Sequence, residues 1–129
     1  MSLTFDVGEL KDFRVELKGF GDKIDGVIIE ALNECVAREM RGVKTITPVD
    51  TGNLRRSWRI SEIKKKGNSF EVTLFNNTDY ADYVEFGHRT RDHKSWVPGK
   101  FMLTLSEREI EKQIEKIVDR HLEEAFKKL

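Results

Sequence analysis

The feature that most constrains this chain is a long amphipathic pattern in its first half. Between residues 22 and 46, apolar side chains recur at steps of three and four residues, which is the spacing of one helical face. Asp22 is a suitable helix N-cap, and Pro48 disfavours helical geometry in the residue before it. These residues predict a helix over 22–46, and its wide apolar face predicts that it is the central packing element.

A second amphipathic pattern fills the C-terminal part of the chain. Apolar residues recur at helical spacing from Phe101 to Leu129 and predict a helix over residues 100–128. Basic and acidic residues follow one another at three- and four-residue steps along its other side, which is typical of a solvated helix face. His121 lies among these charges, and we expect it to face solvent.

The segment between these helices has a different period. Polar and apolar residues alternate on both sides of the turn sequence Lys66-Gly67-Asn68-Ser69, which predicts a β-hairpin over residues 58–76 with one buried face. The following short helical segment would be closed by Gly87. Residues 88–99 are mostly polar and predict an exposed loop.

Length and composition favour a single domain. Residues 1–21 have a weak pattern that predicts an arm or a short helix, and residues 22–129 are long enough for one domain with a modest core. No apolar run approaches the roughly 20 residues that a membrane helix needs. The only cysteine, Cys35, excludes an internal disulfide and suits a reducing cytoplasm. It lies on the apolar face of the first helix, which predicts a buried, inert thiol.

The chain has no net charge, but its charges are grouped in bands. Residues 38–66 hold nine basic and three acidic side chains, whereas residues 67–87 hold four acidic and no basic ones. Such bands suit electrostatic contact between copies or with partners, and the neutral total disfavours a dedicated nucleic-acid-binding domain. The candidate interface residues are Arg55, Arg56, Lys64, Lys65, Lys66, Asp79, Asp82, Arg89 and Arg91.

One tripeptide, Asp50-Thr51-Gly52, matches the catalytic sequence of aspartic proteases, in which two carboxylates share one proton. Here it follows a proline and precedes a pair of arginines, whereas the protease pattern has hydrophobic strand on both sides. The arginines would also keep Asp50 ionised. We therefore expect Asp50 to accept backbone N–H bonds in a turn that Gly52 permits, with Leu54 and Trp58 packing inward.

Other chemistry finds no support in the sequence. The candidate metal ligands are His88, Asp92 and His93, with Asp82 or Glu85 nearby. Their spacing matches no standard zinc pattern, and the surrounding basic residues repel a cation. The sequence lacks a phosphate-binding glycine loop. It therefore predicts no catalytic residue, no cofactor and no metal site.

Three segments carry a more specific signal. They are residues 47–57 (TPVDTGNLRRS), 76–87 (NNTDYADYVEFG) and 97–103 (VPGKFML). In this order they resemble the tail-completion and minor-tail family of tailed phages and prophages, the gene-product-ten-like family of siphophages, over about residues 22–125. The resemblance implies an α+β fold, with long amphipathic helices packed on a small, mainly antiparallel β-sheet, and a virion protein of the head–tail neck or tail end.

The resemblance also implies structural roles for the residues of these segments. Asp50 and Gly52 would shape the turn, and the aromatic residues of the second segment would pack against the sheet or a neighbouring molecule. Arg55 and Glu85 carry opposite charges and would be able to pair. The structural-motif residues are Asp50, Thr51, Gly52, Leu54, Arg55, Tyr80, Tyr83, Glu85, Phe86 and Gly87.

The leading hypothesis is a non-enzymatic virion structural protein that acts in tail completion or head–tail joining through ring assembly. Its partners would be other phage neck or tail proteins and further copies of itself, with assembly in the host bacterial cytoplasm. A ring needs contacts between unlike patches, which the basic band 38–66 and the acidic band 67–87 would supply. The alternative is a small adaptor or regulatory protein that binds a protein or nucleic-acid partner through the basic 38–66 stretch.

Overall fold

The computed structural model describes residues 2–6, 21–49, 52–66 and 69–128. It has the predicted α+β fold, in which long helices pack with a small antiparallel sheet. The elements are β1 (Ser2–Asp6), α1 (Gly21–Ile46), α2 (Asn53–Arg56), β2 (Trp58–Ile60), β3 (Lys64–Lys66), β4 (Ser69–Asn76), α3 (Ala81–Phe86), β5 (Gly87–Arg89), β6 (Trp96–Pro98) and α4 (Met102–Lys127).

Strand β4 is the centre of the main sheet. β1 pairs with it along one edge, and β2 and β3 pair with it along the other, all antiparallel. Phe70, Val72 and Leu74 are buried on its inner face and alternate with half-buried neighbours, as the period of two predicts. The inner face of β4 therefore forms the floor of the core.

Strand β1 lies in the N-terminal segment, for which the sequence predicted an arm or a short helix. Ser2–Asp6 is a strand, with Ser2 opposite Phe75 and Asp6 opposite Glu71. The physical reason is that the edge of β4 offers unpaired backbone groups, and a strand that satisfies them gains bonds that local spacing does not reveal. Residues 7–20 lie outside the described residues.

The core lies between the sheet and the two long helices. α1 packs against α4 on one side and against β2 and β4 on the other. Cys35 is fully buried in this layer, and burial raises the pKa of its thiol to about 11. The thiol therefore stays protonated at neutral pH, in agreement with the predicted inert residue.

A cluster of charged side chains joins the two helices at their surface. The carboxylate of Glu34 on α1 contacts the guanidinium of Arg120, pairs with Arg38 at 3.0 Å, and lies 3.1 Å from Nε2 of His121. His121 is half-buried by this contact, so the expectation that it faces solvent is wrong. Helical periodicity placed it on a charged side of α4 but did not show that α1 contacts that side.

Glu39 is a buried acid in the contact between α1 and α4. It is 2% exposed, and neither carboxylate oxygen has a hydrogen-bond partner among the described residues. Burial, together with the charges of Glu107 and Glu111, raises the pKa of Glu39 from 4.5 to about 8. The folded protein therefore holds a proton on Glu39 at neutral pH that the unfolded chain releases. Its stability should fall as the pH rises from about 4.5 to about 8 and then level off.

Replacing Glu39 with Gln should remove this pH dependence. The free energy of unfolding of Glu39→Gln, relative to the parent, should grow by roughly 3–5 kcal/mol between pH 5 and pH 9, because the parent must bury an ionised carboxylate at the higher pH. Urea denaturation at both pH values measures the change. Glu30→Gln, at an exposed position of the same helix, is the control and should show no such growth. If the free energies of unfolding of both variants changed equally with pH, Glu39 would not be the source of the pH dependence.

Candidate functional site

The segment that follows α1 ties the end of this helix to the sheet. Trp58 is buried, and its indole Nε1–H donates to Oγ1 of Thr47 at 2.9 Å. The Thr47 hydroxyl in turn donates to the Val43 carbonyl at 2.5 Å, and Nε–H of Arg55 donates to the Lys44 carbonyl at 2.9 Å. Side chains of the segment thus bond the last carbonyls of α1, and Arg55 puts positive charge at the negative end of the helix dipole.

The turn before α2 depends on a glycine. Gly52 has a φ of +80°, in the left-handed region, and a Cβ there would lie 2.5 Å from Nη1 of Arg56. The buried Leu54 follows, and its carbonyl accepts a bond from Nδ2 of Asn76 at 2.9 Å. The inward packing of Leu54 and Trp58 is therefore as predicted. Asp50 and Thr51 lie outside the described residues, and the role of Asp50 in the turn stays a prediction.

Glu85 links the second sequence segment to the start of α4. It is 1% exposed; its Oε1 accepts the N–H of Leu103 at 2.9 Å, and its Oε2 accepts the N–H of Thr104 at 3.0 Å. The Thr104 hydroxyl donates to the same Oε2 at 2.7 Å. Amide groups in the first turn of a helix have no intrahelical partner, and the helix dipole favours a negative charge there. Glu85 therefore caps α4 from a position distant in sequence.

Arg55 and Glu85, whose opposite charges would have allowed them to pair, have other partners in the structure. Arg55 donates to the end of α1, whereas Glu85 accepts from the start of α4. Opposite charges within two sequence segments do not specify a contact, because backbone groups at helix ends compete for the same side chains. Phe101, the residue directly before α4, has a φ of +49° and makes no side-chain cap, so Glu85 takes that role.

Two glycines allow the backbone to pass close to Glu85. The N–H of Lys100 donates to the Val84 carbonyl at 2.7 Å, and the N–H of Phe101 donates to the Glu85 carbonyl at 3.1 Å. A Cβ on Gly99 would overlap that carbonyl oxygen. Gly87 has a φ of +88°, and a Cβ there would lie 2.5 Å from the Val97 carbonyl oxygen. Only glycine fits at either position.

The stretch predicted as a loop over residues 88–99 is a small hairpin. β5 and β6 pair antiparallel, with Gly87 opposite Pro98 and Arg89 opposite Trp96. At its tip, Oδ1 of Asp92 accepts the Thr90 hydroxyl at 2.5 Å and the Lys94 N–H at 3.0 Å. The hairpin tip is held by short-range polar bonds, which leave no alternation of apolar and polar residues in the sequence. The sequence pattern therefore did not predict the strands. Most side chains of the hairpin are exposed.

Large apolar side chains are exposed on the elements that meet around Glu85. Tyr83 and Phe86 of α3 are 61% and 57% exposed, and Trp96 of β6 is 58% exposed. Phe101 and Leu105 at the start of α4 are also exposed. We call these five residues the aromatic surface. Exposed apolar groups on neighbouring elements are typical of interaction surfaces.

The aromatic residues of the second segment were expected to pack either on the sheet or on a neighbouring molecule, and in the structure they do not pack on the sheet. Tyr80, Tyr83 and Phe86 are all exposed. The hydroxyl of Tyr80 accepts a bond from Nδ2 of Asn53 at 3.1 Å, and the ring of Tyr83 meets His88 edge-on with centroids 5.9 Å apart. Packing of these residues against a neighbouring molecule stays a prediction.

The predicted interface residues lie in several places. Arg55 and Arg56 are on α2, Arg89 and Arg91 are on the β5–β6 hairpin, and Asp79 and Asp82 are exposed near the start of α3. Lys64, Lys65 and Lys66 form β3, where Lys65 pairs with Asp25 at 2.5 Å and Lys66 with Glu71 at 3.1 Å. Part of the basic band is thus engaged within the molecule, and an interface role for the set stays a prediction.

The candidate metal ligands do not assemble into a site. Within the part of the chain that the structure describes, no three His, Cys, Asp or Glu side chains are placed to hold a metal ion. Asp92 is held by the hairpin tip, where bonds from Thr90 and Lys94 keep its pKa below the ordinary value. Glu85 is committed to the helix cap.

The comparison with known families decides what kind of protein has this arrangement. Residues 11–87 match the model of the family described as "Bacteriophage HK97-gp10, putative tail-component", which is more than half of the chain. The chain belongs to this family. The match includes α1, the sheet strands β2 to β4 and α3, and it ends at Gly87, beside the aromatic surface. The family resemblance expected from the three sequence segments is thereby confirmed.

Two further comparisons found no counterpart, since neither a curated protein nor a solved structure matched the chain. None of the described helices combines the length and apolar character that crossing a membrane requires. The family therefore supplies the functional frame, that of a phage tail component in the virion.

The cap that Glu85 supplies can be tested by removing its carboxylate. Glu85→Ala should lower the free energy of unfolding by roughly 2–4 kcal/mol, because the N–H groups of Leu103 and Thr104 lose their acceptors. Glu85→Gln should recover part of the loss, since its amide offers one acceptor oxygen. Denaturation by urea measures both. Asp79→Ala, at an exposed position of the same segment, is the control and should cost less than about 0.5 kcal/mol. A loss in the control as large as that of Glu85→Ala would refute the cap.

The bond between Thr47 and Trp58 offers a matched pair of variants. The hydroxyls of Thr45 and Thr47 both donate to the carbonyl four residues earlier, but only Thr47 is buried and accepts the indole N–H. Thr47→Val should therefore cost about 1–3 kcal/mol of stability, since it leaves a buried donor unpaired. Thr45→Val should cost clearly less. Thermal denaturation followed through the fluorescence of the tryptophans compares them, and equal losses would count against this bond.

Proposed function

We propose that this protein is a non-enzymatic virion structural protein that acts in tail completion or head–tail joining by assembling into a ring. Its family supports the role of a phage tail component. The observation that supports assembly is the aromatic surface, which exposes five large apolar side chains on α3, on β6 and at the start of α4, where Glu85 bonds α3 to α4. The partners would be further copies of the chain and other neck or tail proteins.

The surroundings of the aromatic surface fit a contact between proteins. Protein interfaces have an aromatic centre and a polar rim, with arginine enriched. Here the exposed Asp82 lies on α3 beside Tyr83, and the exposed Arg89 pairs with Trp96 across the β5–β6 hairpin. The backbone that carries these residues is fixed by the close approach of Gly87 and Gly99, so little conformational freedom would be lost on docking.

The hydrogen bonds made by Glu85 and by the residues around the protease-like tripeptide support a structural rather than a catalytic role. Glu85, which the sequence offered as a metal ligand, has both oxygens committed to backbone amides. The residues around the protease-like tripeptide are likewise engaged: Arg55 bonds the end of α1 and Trp58 bonds Thr47. Assembly would take place in the host bacterial cytoplasm, and the finished protein would reside in the virion.

The alternative of an adaptor that binds through residues 38–66 has less support. Lys65 and Lys66 pair with acidic side chains of the same molecule, and Arg55 is directed at the end of α1. A basic surface in which part of the charge is already compensated attracts an acidic partner less strongly.

Complementation of a phage that lacks this gene tests the proposal. The parent gene should restore infectious particles, whereas Phe86→Glu and Tyr83→Glu should lower their yield at least tenfold, because each places a charge in the proposed contact. Electron microscopy of the particles distinguishes the two stages: separate filled heads and finished tails indicate head–tail joining, and absent or overlong tails indicate tail building.

Ile29→Glu is the matched control, since Ile29 is an exposed apolar residue of α1 outside the aromatic surface. It should complement as the parent does, and circular dichroism should show all variants folded. Normal particles from the deletion phage would refute the proposed function. Full complementation by both charged variants would refute the role of the aromatic surface.

A further inference from the structure

A cavity of about 120 Å³ lies between α1 and α4, beside the aromatic surface. Glu39 and Ser106 line it, together with Ile46 and Leu105, whose side chains are partly exposed and give the cavity an apolar mouth toward solvent. Leu105 also belongs to the aromatic surface. The cavity and the proposed contact surface are therefore continuous.

The cavity contains polar atoms that the chain does not satisfy. Both carboxylate oxygens of Glu39 and the hydroxyl of Ser106 lack hydrogen-bond partners among the described residues, although the two side chains are only 2% and 4% exposed. Native proteins leave few buried polar atoms unpaired. Three such atoms on one cavity offer hydrogen bonds to a group that enters from outside.

The charges around the cavity favour a cationic donor. Glu109 of α4 lines the cavity, and Glu107 and Glu111 of the same helix act on Glu39 as neighbouring negative charges. Arg38 also lines the cavity, and its guanidinium donates to Oε1 of Gln113 at 3.0 Å and pairs with Glu34 at 3.0 Å. The guanidinium is thus held by Gln113 and Glu34, and it makes no hydrogen bond to Glu39. Glu109 has a loose pairing with Lys112 at 3.7 Å.

The mouth of the cavity adds a second requirement. An incoming group must pass Ile46 and Leu105 before it reaches Glu39. Lysine and arginine combine an aliphatic stem with a cationic head that has several N–H donors. Such a side chain fits the apolar mouth and the polar interior, and its charge would stabilise the ionised form of Glu39.

We propose that this cavity receives a lysine or arginine side chain from the β5–β6 hairpin of a second copy of the chain. The hairpin presents Arg89, Arg91 and Lys94, all exposed, close to the exposed Trp96. Hairpin and cavity are unlike patches on the same molecule, so their contact is head-to-tail, which is the kind of contact that closes a ring. The inference rests on the proposed function and names the surfaces that neighbouring copies use.

Cross-linking between two differently tagged variants tests the contact directly. Lys94→Cys in one copy and Leu105→Cys in the other should give a mixed disulfide dimer under mild oxidation, if the hairpin of one copy reaches the cavity of the next. Lys127→Cys, at an exposed position near the end of α4, replaces Lys94→Cys in the control and should give no mixed dimer with Leu105→Cys. The natural Cys35 is buried, and its raised pKa keeps it from competing.

Sedimentation of the purified chain supplies a second measurement. Glu39→Gln and Arg91→Gln should each weaken self-association roughly tenfold at neutral pH, and the double variant should be no weaker than the more affected single one, because the two groups would act in one contact. Glu30→Gln and Lys127→Gln are controls and should associate as the parent does. Glu39→Gln replaces a buried acid by a neutral amide of similar shape, so it keeps the fold intact.

The outcomes separate this inference from the function on which it rests. Oligomers that form without the mixed cross-link and withstand Glu39→Gln would overturn the cavity contact, leave the proposed ring in place and assign the cavity to bound water. A parent that stays monomeric up to millimolar concentration would also overturn the contact. In that case phage complementation still tests tail completion or head–tail joining on its own.

Discussion

The carboxylate of Glu85 holds three parts of the chain in one arrangement. It comes from α3 and accepts bonds from the first turn of α4, while the backbone carbonyl of the same residue lies against Gly99 at the base of the β5–β6 hairpin. The N-terminus of a long helix has unpaired amide groups and a partial positive charge, and a buried carboxylate compensates both at once. The direction in which α4 leaves the hairpin, and with it the packing of α4 on α1, depends on this contact.

The end of α1, which lies beside the start of α4, is held by the same kind of contact. The last turn of α1 is bonded by Thr47 and Arg55, and Thr47 is fixed in turn by the indole of Trp58. A sequence that looks like a protease tripeptide with basic neighbours is thus the connection between a helix end and a sheet. At the start of α4 and at the end of α1, a side chain from another element bonds the terminal backbone groups that a local capping residue bonds in most helices.

Those features that depend on local periodicity could be predicted from the sequence. The two long amphipathic patterns and the alternation in β4 predicted two helices and a strand with one buried face, because each pattern reports a face that the element itself buries. These elements agree with the α+β class that the family resemblance implied. The pairing of β1 with β4, the contact of His121 with Glu34 and the cap by Glu85 could not be predicted, since each joins residues distant in sequence. The resemblance left open whether Tyr83 and Phe86 pack on the sheet or on a neighbouring molecule, because an apolar residue reveals that it prefers burial but not whether its own chain or another provides it.

The two buried acids, Glu85 and Glu39, differ in whether the fold itself supplies their hydrogen-bond partners. Glu85 has a partner for each oxygen, and a satisfied buried carboxylate of this kind specifies one packing arrangement. Glu39 is as deeply buried, has no partner in the described part of the chain, and faces a cavity that is continuous with exposed apolar residues. A fold alone gains nothing from such an acid, because an apolar side chain of similar volume would pack there at lower cost. An acid that a neighbouring copy completes explains both its burial and its lack of a partner, which is why the proposed contact is directed at Glu39 rather than at the acids of the exposed surface.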